Sequence, residues 1–199
     1  MAVTLNASTT AGLELTPDTS GVLNIQSGGS TKIAVTSAGV AVTGLSKASL
    51  PTGSVLQVVY ANINTEVTIS YTGTYVTTGL TLSITPTSAT SKILIIAGQN
   101  VYNLTAGSTN ANLSFQIFRN AGAVYTSSNG PDGAGLYTFG YSQTTPNLAF
   151  KNVIPLQYLD SPATTSATTY TIYGRLGITG NTCGFNWGGS TITLMEIAA

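Results

Sequence analysis

Residues 112–119, NLSFQIFR, set Leu113, Phe115 and Ile117 two positions apart with Ser114 and Gln116 between them. Side chains two apart in an extended chain share a face, so this stretch reads as a strand with one side in a core and one side outside. The same alternation recurs in EVTISY (66–71) through Val67, Ile69 and Tyr71, and in LTLSIT (80–85) through Leu80, Leu82 and Ile84. SVLQVVYA (54–61), VIPLQYLD (153–160), TTYTIYGRLG (168–177) and TITLMEIA (191–198) extend the inventory. With KILIIAG (92–98) they make about eight to ten strands, the number expected of a two-sheet sandwich or jelly roll. KILIIA is apolar on both faces, which means either cover from within the sandwich or a place in a subunit interface. No segment carries apolar residues at i, i+3, i+4 and i+7 over a helical length, so the chain is read as all-β, its head an antiparallel, jelly-roll-like β-sandwich.

Charge and cysteine content narrow the chemistry. The 199 residues include 6 basic and 6 acidic side chains, no histidine and a single cysteine, Cys183. No basic block offers a nucleic-acid surface, and no cationic amphipathic stretch offers a membrane one. Without histidine the commonest metal ligand and general base is missing, and one cysteine builds neither a disulfide framework nor a zinc cluster. The start, MAVTLNASTT, has neither a basic n-region nor an apolar h-region, and the longest apolar run, ILIIA, is too short to cross a bilayer. The expectation is a protein made in a cytoplasm, with no membrane insertion, no metal and no cofactor.

The N-terminal quarter follows a different rhythm. Leu13 with Leu15, Leu23 with Ile25, and Ile33 with Val35 recur every ten residues, after Val3 with Leu5 and before Val40 with Val42. Between them lie turn formers: Pro17, Asp18 and Gly21, then SGGS, then SAG. Burying two aliphatic side chains yields about 3 to 6 kcal/mol, whereas ordering ten residues costs roughly 15 kcal/mol. Strands this short need neighbouring copies around a shared axis, and three copies enclose an axis that two leave open. Leu13, Leu15, Leu23, Ile25, Ile33 and Val35 are therefore the expected trimer-axis residues; the alternative is a β-meander packed on the rest of the chain. The turn-rich LSKASLPTG ends the grid, which divides the chain into a repetitive stalk and particle anchor (1–44), a linker (45–53) and a sandwich head (54–199).

TSKILIIAG, FQIFRNAGAVY, YLDSPATTSATTYTIYGR and STITLMEIAA, behind a segment of the type LNIQSGGSTKIAVTSAGV, resemble fibre and virion surface proteins of tailed bacteriophages. The head strands also resemble the trimeric jelly rolls of the tumour-necrosis-factor and complement type. The resemblance implies a homotrimeric virion protein, assembled in the host cytoplasm, with a thin N-terminal stalk contacting other virion proteins and a head for host-surface recognition. The repeats begin almost at Met1, where many tail fibres carry a long attachment module. That leaves a tail appendage, a head fibre and a capsid decoration protein that stabilises the shell as alternatives.

Enzyme chemistry finds little support. Glycosidic cleavage needs two carboxylates flanking a sugar bond. The supply is Glu14 and Asp18 in the stalk, Glu66, Asp132 in the turn GPDGAG, Asp160 in LDSP, read as another turn, and Glu196. Cys183 has no histidine to activate it and reads as a small buried apolar group. No catalytic residue is assigned. Binding has better candidates: Tyr137, Phe139 and Tyr141 share a face if GLYTFGYS is extended, and FNWGGS holds Trp187, the only tryptophan. Flat aromatic faces hold a sugar ring or a protein loop, and neutral surroundings suit an uncharged glycan; the alternative is that these rings fill the sandwich or a subunit interface.

Overall fold

The computed structural model describes residues 23–27, 29–42, 50–105, 110–124, 137–142 and 151–199. The chain divides into two compact units, Met1–Ser49 and Leu50–Ala199. Leu13, Leu15 and the rest of the expected stalk and anchor before Leu23 lie outside the described residues, as do Glu14, Asp18 and Asp132.

In the first unit, β1 (Leu23–Ser27), β2 (Ser30–Thr36) and β3 (Gly39–Val42) form an antiparallel sheet in that order. The strands hold five, seven and four residues, longer than the three-residue pairs read from the sequence, because flanking polar residues such as Thr31 and Thr36 join the ladders. The ten-residue spacing becomes a hairpin here. Leu23 pairs with Val35 and Ile25 with Ile33, and across β2 the same residues meet Val40 and Val42. Six aliphatic residues thus make two cross-strand rows on one face, with Asn24, Ala34 and Ala41 on the other. Leu23, Ile25, Val35, Val40 and Val42 of that apolar face are exposed.

The second unit contains β4 (Val55–Ile63), β5 (Val67–Ser70), β6 (Val76–Ile84), β7 (Lys92–Thr105), β8 (Asn110–Arg119), β9 (Gly122–Ala123), β10 (Tyr137–Ser142), β11 (Lys151–Asp160), β12 (Thr168–Leu176), β13 (Thr182–Phe185) and β14 (Ser190–Ile197). One antiparallel sheet runs β10-β8-β12-β6, with β9 on β8. In the other, β4-β14-β7 is closed by β11 on the far edge of β7, while β13 and β5 continue beyond β14 and β4. The chain passes between sheets at β5–β6, β6–β7, β7–β8, β10–β11, β11–β12 and β12–β13, the pattern of a jelly roll.

Alternation builds the core between the sheets. Leu113, Phe115 and Ile117 face inward from β8, meeting Leu80 and Ile84 of β6, Tyr170 and Ile172 of β12, and Ile93 and Ile95 of β7. Phe115 meets Phe185 edge to face at 6.0 Å. In KILIIA, Ile93, Ile95 and Ala97 lie in this core, whereas Ile96 is 40% exposed on the outer face. The two outer faces differ. On the β6–β12 side hydroxyls pair across strands, Thr81 with Thr171 at 2.8 Å and Ser83 with Thr169 at 2.7 Å.

A buried polar network ties the sheets together. Thr78 and Gln99 are fully buried on opposite sheets, and the Thr78 hydroxyl lies 2.7 Å from Gln99 Oε1. Gln99 Nε2 in turn lies within reach of Asn186 Oδ1 at 3.0 Å and Ser190 Oγ at 3.1 Å. Sequence reading places Asp160 in a turn, and the structure corrects this. Asp160 is the last residue of β11 and buried, accepting bonds from Arg119 Nη1 at 2.9 Å and from the Tyr170 hydroxyl at 2.7 Å. A carboxylate entering an interior must bring its partners, and both come from strands of the facing sheet. Burial and the Asp160 charge push the Tyr170 phenol far above its ordinary range, so it remains a donor.

Candidate functional site

β4–β5 and β13–β14 are two neighbouring strand paths interrupted at the same level, since Ser190 pairs with Ile63 and Phe185 with Val67. Asn186 fills the gap. With φ at 67° it takes the left-handed conformation that asparagine tolerates, and its side-chain amide donates to the carbonyls of Thr65 at 3.0 Å and Thr78 at 2.8 Å. Gly189, at φ 100°, completes the turn where a Cβ would stand 2.8 Å from Asn62 Oδ1. Between these anchored ends lie Trp187 and Gly188, and Trp187 is 47% exposed beside a fully buried Asn186.

Tyr102 supports the indole. It stands in register with Gly184 of β13 on one side and Lys151 of β11 on the other. Its ring lies across Gly184, in the space a side chain there would need. The ring centroids of Tyr102 and Trp187 are 6.0 Å apart at a tilt of 38°. The Tyr102 hydroxyl donates to Glu66 Oε2 at 3.0 Å, and the Lys151 ammonium lies 3.5 Å from the Trp187 ring centroid. Burial first, and then the hydrogen bond and charge of Glu66, raise the Tyr102 phenol above its ordinary value of 10.0. It therefore stays protonated and keeps Glu66 as its acceptor.

The patch combines a flat apolar plate on a pinned turn, an ammonium on the strand β11 and a carboxylate in the β4–β5 connection, next to Thr65, whose carbonyl Asn186 holds. Such a plate stacks against the C–H face of a sugar ring, while Glu66 and Lys151 supply an acceptor and a donor for ring hydroxyls. Of the sequence candidates only Trp187 lies here. Tyr137, Phe139 and Tyr141 do occupy an extended strand, β10, in register with Phe115, Leu113 and Ala111, but β10 belongs to the opposite sheet. Tyr102, Lys151 and Glu66 join Trp187 only through the strand register, a long-range relationship that no local motif announces. Cys183 is fully buried one residue from Gly184, and burial pushes its thiol well up, away from the thiolate form. Glu66, Asp160 and Glu196 each sit in a different hydrogen-bond setting.

No protein-family model and no curated protein matches the chain. Solved structures do resemble it at low identity. A tumour-necrosis-factor protein, Eiger from S. frugiperda, is 11% identical with a TM-score of 0.41, over 71% of this chain and 93% of that one. The VP2 protein of infectious bursal disease virus, in a D431N mutant particle, is 14% identical with a TM-score of 0.36, over 98% of this chain and 49% of that one. The CBM22-1 xylan-binding domain of Paenibacillus barcinonensis Xyn10C is 15% identical with a TM-score of 0.30, over 75% of this chain and 99% of that one. With scores this low, the functional reading rests on the side chains and strand order described above.

Proposed function

We propose that the chain is a structural protein of a tailed-phage virion, a homotrimeric short fibre whose head recognises a host-surface glycan through the Trp187 patch. The observation that carries this reading is the half-exposed indole, fixed by Asn186, backed by Tyr102 and flanked by Lys151 and Glu66. The exposed aliphatic face of β1–β3 supports the trimer, because such a face is stable in water only when copies cover it. Particle contacts fall to the N-terminal segment.

Because Trp187 is the only tryptophan, its fluorescence reports directly on the patch. Titration of the full chain with purified host surface polysaccharide should shift or quench the emission with a saturable curve. Trp187→Ala should abolish binding measured by calorimetry while preserving the oligomer. Lack of binding by the wild type to any host surface polysaccharide, in a protein still found on particles, would replace recognition with capsid decoration.

A further inference from the structure

We infer that the outer face of the β4-β14-β7-β11 sheet is a self-association surface, covered in the assembled protein by a second copy of this chain. The strand registers stack its outward residues into rows. Val58, Met195, Leu94 and Leu159 form one, and Tyr60, Thr193, Ile96 and Gln157 form the next. Within the second unit, Val55, Val58, Tyr60, Ile96, Val153 and Leu159 of this face are exposed, and among large apolar side chains elsewhere in that unit's described residues only Tyr71 and Trp187 share that exposure. The β6–β12 side instead pairs threonine and serine hydroxyls. Among the described residues the exposed large apolar side chains of the sandwich's two outer faces thus gather on the β4-β14-β7-β11 face.

Three observations select a second copy as the occupant. The rows between Lys92 and Lys151 contain no charged residue, so the face meets another copy without like-charge repulsion along these rows, and the two lysines fall at its ends, where interfaces keep their polar rim. Four strands about 4.8 Å apart and four rows about 6.8 Å apart span roughly 500 Å² before side-chain relief, the same order as the ~800 Å² per partner of a stable interface. Finally, β1–β3 of the same chain carries a second exposed and uncharged aliphatic face, so association of like copies answers both. This deepens the oligomer part of the proposed function and is independent of glycan binding.

The native cysteine is buried, so a cysteine introduced on the face gives a clean report in the full chain. Thr193→Cys and Gln157→Cys, treated with a short bis-maleimide, should yield covalent species at twice the 20.3 kDa chain mass, whereas Thr171→Cys on the hydroxyl face should not. Ile96→Glu should raise the concentration at which the oligomer half-dissociates by at least about tenfold. If the wild type is oligomeric by native mass spectrometry but neither face cysteine cross-links, the face is wrong and the oligomer stands. A monomeric wild type overturns both, and protection of Thr193→Cys only when another virion protein is added assigns the face to that protein instead.

Discussion

The ring of Tyr102 lies across Gly184, its register partner on the four-residue strand β13, and fills the space a Cβ there would take. Any side chain at position 184 must displace the ring, and with it the support of Trp187. Gly184→Ala should therefore destabilise the fold by about 1–3 kcal/mol, as overpacking does. It should also shift the Trp187 emission in the folded state, because the indole loses its neighbour. Urea denaturation followed by fluorescence reads both; an unchanged midpoint and spectrum would mean that the ring moves aside freely.

The strands were legible where apolar residues alternate, although burial itself does not alternate in β8: Ser114 and Gln116, read as the outside face, are buried too. Leu113, Phe115 and Ile117 announce β8, and Leu80 with Ile84 announces β6, since one face of each meets the core. β13, TCGF, escaped because four residues including a glycine carry no period. Asp160 was misread because LDSP has turn chemistry, and only its Arg119 and Tyr170 partners, distant in sequence, keep it inside. The site was legible only as Trp187. Its other members depend on register, which is set by the whole sheet rather than by neighbours along the chain.

Asn186 unites the backbone break with the buried network, accepting from Gln99 and donating to Thr65 and Thr78. Asn186→Ala leaves two carbonyls and one amide donor without that partner, and places alanine in a left-handed conformation. We expect a loss of about 2–4 kcal/mol in denaturant unfolding at fixed protein concentration. Gln99→Ala in the same background should add less than it costs alone, because the two residues share one network.

Glu196 is a fully buried carboxylate held by neutral donors: Gln57 Nε2 at 2.6 Å, the Thr87 amide at 2.7 Å and the Thr87 hydroxyl at 2.8 Å. Burial alone would raise its pKa, but the hydrogen bonds from Thr87 and Gln57 help to bring it below the ordinary 4.5. Its contribution to stability is thus fully present above the unfolded value and is lost as pH falls through the lower folded value. Glu196→Gln should cost about 1–3 kcal/mol near neutral pH, since an amide group must face donors. The difference from wild type should shrink in acid. A constant difference down to pH values well below 4.5 would assign the acid sensitivity elsewhere.

Ile25 pairs with Ile33, which pairs in turn with Val42, and this row lies on the apolar face of the meander. In a lone chain Ile25 is 51% exposed, so an aspartate there would be solvated and nearly neutral in stability. Around a shared axis the same substitution gathers carboxylates out of water, at a cost of several kcal/mol for each that stays charged and unpaired. Ile25→Asp should accordingly lower the melting temperature of the oligomer at neutral pH. The deficit relative to wild type should narrow below about pH 4, where the carboxyls take up protons. Circular dichroism and native mass spectrometry at both pH values separate the two cases. Identical melting and mass for Ile25→Asp and wild type at neutral pH would leave this row in water and remove it from the trimer axis.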